Sequence, residues 1–189
     1  MTAKISSARL RDAHNRIAQL DALGATLAAT LDAKGTRVIF SARISGGFTL
    51  NVFNTIVMDP HLQDPASFDF LVCTLAHECS HVQQGHLVDS VQQELIAYQV
   101  EAKIADTLQF AAGKQAFGKF LALDPTSARD LDTALAFILD LAGGSPATRT
   151  IYASLPKFQP RGAADNFAAA LKQIAAVGIA GWQTLRPPP

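Results

Sequence analysis

Five consecutive residues, His77-Glu78-Cys79-Ser80-His81, have the types and the spacing that activate water on a metal ion. On a helix of 3.6 residues per turn, histidines four apart sit about 40° apart around the axis and about 6 Å along it, so both imidazoles can converge on one ion. Glu78 lies on the flank of that face, placed to touch a water held by the ion without being needed as a ligand. This is the requirement of metal-assisted hydrolysis: an ion polarises a carbonyl and acidifies a water, and a carboxylate takes and later returns the proton.

Two histidines leave a catalytic zinc under-coordinated, since three protein ligands and one open position are usual. The next helical segment offers Glu94, thirteen residues after His81, and an antiparallel return through Gly85-His86-Leu87 would bring its first turns back beside the histidines. Glu94, Ala97, Tyr98 and Glu101 share one face by the i, i+3, i+4, i+7 rule. Glu94 is the preferred third ligand and Glu101 the carboxylate that orients a histidine through its other N–H, with the reverse order left open. Tyr98 is a candidate donor to a developing oxyanion.

Competing ligands sit nearby. On a continuous helix His86 points about 140° away from His81, and it serves as an alternative ligand only if Gly85 breaks the helix. The metzincin pattern fails, because its glycine and last histidine fall three and six residues after the second histidine, whereas Gly85 and His86 follow at four and five. Cys73 lies one turn before His77, but three ligands along one straight helix cannot form a tetrahedral set, and Cys79 faces the opposite side. Both cysteines read as buried thiols too far apart on one helix for a disulfide.

The elements that must position these residues follow from the hydrophobic pattern. Leu10, Ala13, Ile17, Leu20, Leu27 and Leu31 mark an amphipathic helix, or a helical pair bent near Gly24. Thr36–Phe40, Phe48–Phe53 and Thr55–Met58 are β-branched and aromatic, with a turn at Ser45-Gly46-Gly47, which predicts an antiparallel sheet of two or three strands. Beyond Pro65 the segments Phe68–Gln84, Ser90–Phe110, Gln115–Leu123, Ser127–Leu141 and Ala163–Val177 read as helices. Breaks fall at Asp124-Pro125-Thr126 and Gly143-Gly144-Ser145-Pro146, Pro156–Gly162 reads as a surface connection, and Arg186–Pro189 as an extended tail. The expected fold class is α+β: a mainly helical domain with a small antiparallel sheet packed on the helix of His77 and His81. At 189 residues the expectation is one domain: a helical segment over 1–33, sheet and metal-binding helices over 36–110, a helical part over 111–185 and the tail.

Composition excludes several classes of function. Sixteen Lys and Arg balance sixteen Asp and Glu, so no net positive field attracts nucleic acid or anionic lipid. With no N-terminal apolar run and no apolar stretch of spanning length, the chain reads as cytoplasmic, without signal peptide or membrane partner. Oligomeric state is open.

The strand-rich segment, the His77-Glu78-x-x-His81 helix and the helix bearing Glu94-x-x-Ala97-Tyr98 together resemble zincin metallopeptidases of the gluzincin kind, most of all the small bacterial and phage members. The likeness runs from Val38 to Phe110. It implies Zn2+ on His77, His81 and Glu94, Glu78 as general base and acid, and a peptide or protein substrate. It also implies that Thr55, Ile56, Val57 and Met58 form the sheet edge along which the peptide lies, by β-augmentation. The chain departs from the large thermolysin-like enzymes in its shorter interval from His81 to Glu94. No supporting motif marks His14 or His61 as their downstream substrate-stabilising histidine. The leading expectation is a zinc-dependent peptidase. The alternative is a catalytically silent module of the same fold that binds or scaffolds, against which Glu78 argues, because structural zinc sites fill all four positions and have no use for a base.

Overall fold

The computed structural model describes residues 2–41, 46–86, 88–143, 146–162, 164–172 and 175. Contacts group the chain into two compact units, residues 1–86 with 96–121 and residues 87–95 with 122–189.

In the first unit, Ser7 and Asp21 decide where the N-terminal helices start. The Ser7 hydroxyl accepts from the Leu10 N–H and opens α1 (Ala8–Leu20), and Asp21 accepts from the Gly24 N–H and opens α2 (Ala22–Lys34). The bend expected near Gly24 therefore falls at Asp21, because an extended aspartate that caps the next helix is a stronger breaker than a glycine within a turn. Gly24 has another use: a Cβ there would lie 2.2 Å from the Ile17 carbonyl oxygen, so its lack of a side chain lets α2 pass close to α1. Leu10, Ala13, Ile17, Leu27, Ala28 and Leu31 fill the space between these helices and α3 (Phe68–Gln84).

The sheet has four strands in the order β1 (Lys4–Ile5), β2 (Arg37–Phe40), β4 (Thr55–Met58), β3 (Gly47–Leu50). It is mixed rather than antiparallel: β1 with β2 and β2 with β4 run parallel, and only β3 with β4 is antiparallel. The physical reason is the crossover through α1 and α2, which returns the chain to the same end of the sheet so that β2 runs alongside β1. Two residues are too few for a hydrophobic alternation to show, which is why β1 escaped the sequence pattern. The second strand segment, read as Phe48–Phe53, ends at Leu50. Asn51–Phe53 form a 3-10 turn closed by Asn54 in the left-handed region, with the Asn54 amide donating to the Lys34 carbonyl.

Around α3 the chain buries Leu71, Val72, Cys73, Leu75, Ala76, Cys79 and Val82, and the helix packs on α1, α2 and β3. Gly85 in the left-handed conformation ends it, its N–H bonding the His81 carbonyl at 3.0 Å. α4 (Val91–Thr107) begins after Ser90, whose hydroxyl accepts from the Gln93 N–H. The segment beyond it, expected as one helix over Gln115–Leu123, is α5 (Ala111–Phe117) followed by a 3-10 turn to Ala122.

In the second unit, α6 (Ala128–Leu141) is capped by Ser127 and packs on α7 (Pro146–Ala153), a helix to which the sequence reading assigned no element and whose first residue it placed in a break. Pro146 at a first helical position opens a helix rather than ending one. Pro156 and Lys157, within the stretch read as a surface connection, accept the N–H groups of Val91 and Gln92 through their carbonyls and so tie down the start of α4. Residues 164–172 are helical; the rest of the helix expected over Ala163–Val177, apart from helical residue 175, lies outside the described residues, as do Ser45, Gly144, Ser145 and the Arg186–Pro189 tail. Among the described residues no helix is long and apolar enough to cross a membrane.

The contact at Gly24 makes a stability prediction. Gly24→Ala must push α2 away from the Ile17 carbonyl, and we expect a loss of about 1–3 kcal/mol in urea unfolding. An unchanged or raised midpoint would show that the two helices separate freely at this point.

Candidate metal centre

α3 and α4 face each other through side chains that pair in opposite directions. Thr74 meets Glu101, and His77, further along α3, meets both Glu101 and, earlier on α4, Tyr98. The two helices are thus antiparallel along this face.

One ligand atom from each of His77, His81 and Glu94 lies within 4.8 Å of the others, and all three residues are buried. The Nε2 atoms of His77 and His81 are 3.2 Å apart. Two ligands held at about 2.0–2.1 Å by a tetrahedral ion stand about 3.4 Å apart, so the histidine pair already has the spacing that zinc requires. Two imidazoles and a carboxylate are also the donor set of a hydrolytic zinc site. The group could hold a metal ion, and its residues fit one.

Glu101 supplies the orientation. Its Oε2 lies 3.1 Å from His77 Nδ1 and its Oε1 accepts from the Thr74 hydroxyl at 3.5 Å. With the Nδ1 proton donated to that carboxylate, the network assigns His77 the tautomer whose Nε2 lone pair faces His81. Tyr98 is half-buried, its ring edge-on to His77 at 4.6 Å between centroids and stacked on Phe120 at 4.5 Å, so it holds the imidazole plane from the other side.

Glu78 is not a member of the three-residue group and meets β3. Its Oε2 accepts from the Thr49 hydroxyl on β3 at 2.6 Å. A Cβ at residue 47 would sit 2.6 Å from its Oε1, so the carboxylate occupies the space left by Gly47. Gly47, expected in a turn, is the first residue of β3, and neither it nor Thr49 was read from sequence as a site residue. The available signal was their spacing of two on a strand, which puts both on the face toward α3.

One expected site is corrected. Thr55, Ile56, Val57 and Met58 are not a sheet edge: β4 is paired with β2 on one side and β3 on the other, and all four residues are buried. Among the described residues the edge beside Glu78 is β3. The sequence pattern misplaced it because a continuous apolar run marks an interior strand, whereas the edge strand carries Gly47 and Thr49 between more exposed positions. His86 follows the helix-ending Gly85, is exposed and is not in the ligand group; its carbonyl accepts from the Asn51 amide. Cys73 and Cys79 are buried free thiols. Burial raises both well above the usual thiol range, with the carboxylates of Glu101 and Glu78 respectively adding to the rise, and neither is in the three-residue group.

Compared with protein-family models, with curated proteins and with solved structures, the chain finds no match.

Loss of Glu101 leaves the His77 Nδ1 proton without the carboxylate that fixes the ring. For Glu101→Ala we expect zinc affinity to fall about 10–100-fold in competition with a chromophoric chelator. An affinity equal to the native chain would remove Glu101 from the centre.

Proposed function

We propose that the chain is a zinc-dependent hydrolase acting on peptide bonds. The observation that carries the reading is the convergence of His77, His81 and Glu94 within 4.8 Å, with the buried carboxylate of Glu78 on the next residue of the same helix. A zinc ion held by those three residues supplies a Lewis acid that polarises the carbonyl and lowers the pKa of water.

The chain's own residues supply the rest. Glu78 takes the proton of the attacking water on its carboxylate and passes it to the departing amine nitrogen. Glu101 keeps the His77 Nδ1 proton in place, so the histidine serves only as a donor of its Nε2 lone pair. Tyr98, one turn from Glu94 on α4, is the candidate to donate a hydrogen bond to the oxyanion. β3 is the strand on which an extended peptide would pair: the Asp59 N–H bonds the Gly46 carbonyl, so in the antiparallel register the backbone groups of Gly47 and Thr49 point away from β4 toward the open edge.

A silent binding module has the same residues except for any need of Glu78. Glu78→Gln is therefore the discriminating variant: it should keep about one zinc per chain while hydrolysis of a quenched fluorescent peptide library falls by about 100-fold or more. Undiminished cleavage by the variant, or a zinc-loaded native chain that cleaves no peptide, would end the peptidase reading.

A further inference from the structure

We propose that Gly47 and Thr49 of β3 are positioning residues for Glu78, so that the strand offered to the substrate also sets the base. The inference rests on reading Glu78 as the proton carrier. A glutamate side chain has three rotatable bonds, and one that must move a proton is effective only when its carboxylate is held in reach of the reacting water. Two features of β3 hold it. The Thr49 hydroxyl donates to Oε2 at 2.6 Å and lies 3.2 Å from the Glu78 carbonyl oxygen. On the same face of the strand, Gly47 leaves the pocket that Oε1 and Cγ occupy, where a Cβ would stand 2.6 Å and 2.8 Å from them.

Gly47 is not in the left-handed region, so its requirement is space rather than backbone freedom. Thr49 and Glu78 are buried and Gly47 is half-buried, all within the first unit, and both contacts come from residues whose main-chain groups face the open edge of the sheet. A peptide pairing with that edge would therefore touch the two residues that fix the carboxylate, and a shift of β3 would move both together. A hydroxyl that merely tied the sheet to α3 would need no partner on this side chain, since the Glu78 main chain offers an acceptor at the same place.

The test uses the zinc-loaded full chain with two readouts: the dissociation constant for acetohydroxamate, which chelates zinc and hydrogen-bonds a neighbouring carboxylate, and kcat and KM on a quenched fluorescent peptide library. Thr49→Val should keep its zinc while kcat falls by about 100-fold, with KM little changed and acetohydroxamate binding weakened as in Glu78→Gln. Thr49→Ser, which restores the hydroxyl, should return to within about threefold of the native chain on both readouts. Gly47→Ala should follow Thr49→Val. If Thr49→Val matches the native chain while Glu78→Gln loses both properties, the positioning role is overturned and the base reading stands. Equal loss of zinc in the Val and Ser variants would make Thr49 a structural residue and also overturn it. If Glu78→Gln itself keeps native turnover and native acetohydroxamate binding, or the native chain binds no acetohydroxamate, the base reading fails and the proposal with it.

Discussion

His77, Glu78, His81, Glu94 and Glu101 are ionisable, and none is more than 6% exposed. Taking a charge out of water costs several kcal/mol unless partners replace the lost hydration, so two helices that bury five such groups must be arranged around their mutual satisfaction. The pattern of contacts follows from that constraint. Glu101 is matched to the His77 Nδ1 proton and the Thr74 hydroxyl, and Glu78 to the Thr49 hydroxyl. The remaining faces, His77 Nε2, His81 Nε2 and a Glu94 oxygen, are turned toward one another, where a divalent cation would offset carboxylate charge that neutral imidazoles do not.

The helical frame serves this arrangement. α3 is held on three sides by α1, α2 and β3, which leaves its His77–His81 face for α4. α4 carries Glu94 and Glu101 seven residues apart, about two turns, so that one reaches the ion position and the other the far nitrogen of a histidine. The start of α4 is tied by the carbonyls of Pro156 and Lys157, which satisfy N–H groups that every helix leaves open in its first turn.

Much of this was legible in the residues. Helix period and two fixed spacings placed His77, His81, Glu94 and Glu101 on facing surfaces, because a regular helix converts sequence distance directly into angle and rise. The sheet was less legible. Its parallel pairing depends on where α1 and α2 return the chain, and β1 is too short to announce itself. The edge strand was assigned to Thr55–Met58 because apolar continuity is easy to see, yet that continuity belongs to a strand buried on both faces. Gly47 and Thr49 escaped for a related reason: a small residue and a hydroxyl have meaning only once the side chain opposite them, Glu78, is known.

The central claim is the identity of the donors on the metal, and zinc K-edge X-ray absorption of the zinc-loaded chain reads it most directly. The account predicts a shell of nitrogen and oxygen donors at about 2.0–2.1 Å with the multiple scattering of two imidazoles. It also predicts that one of the oxygen donors is lost in Glu94→Ala. A sulfur shell at about 2.3 Å, which would bring in Cys73 or Cys79, or a spectrum without imidazole, would contradict it.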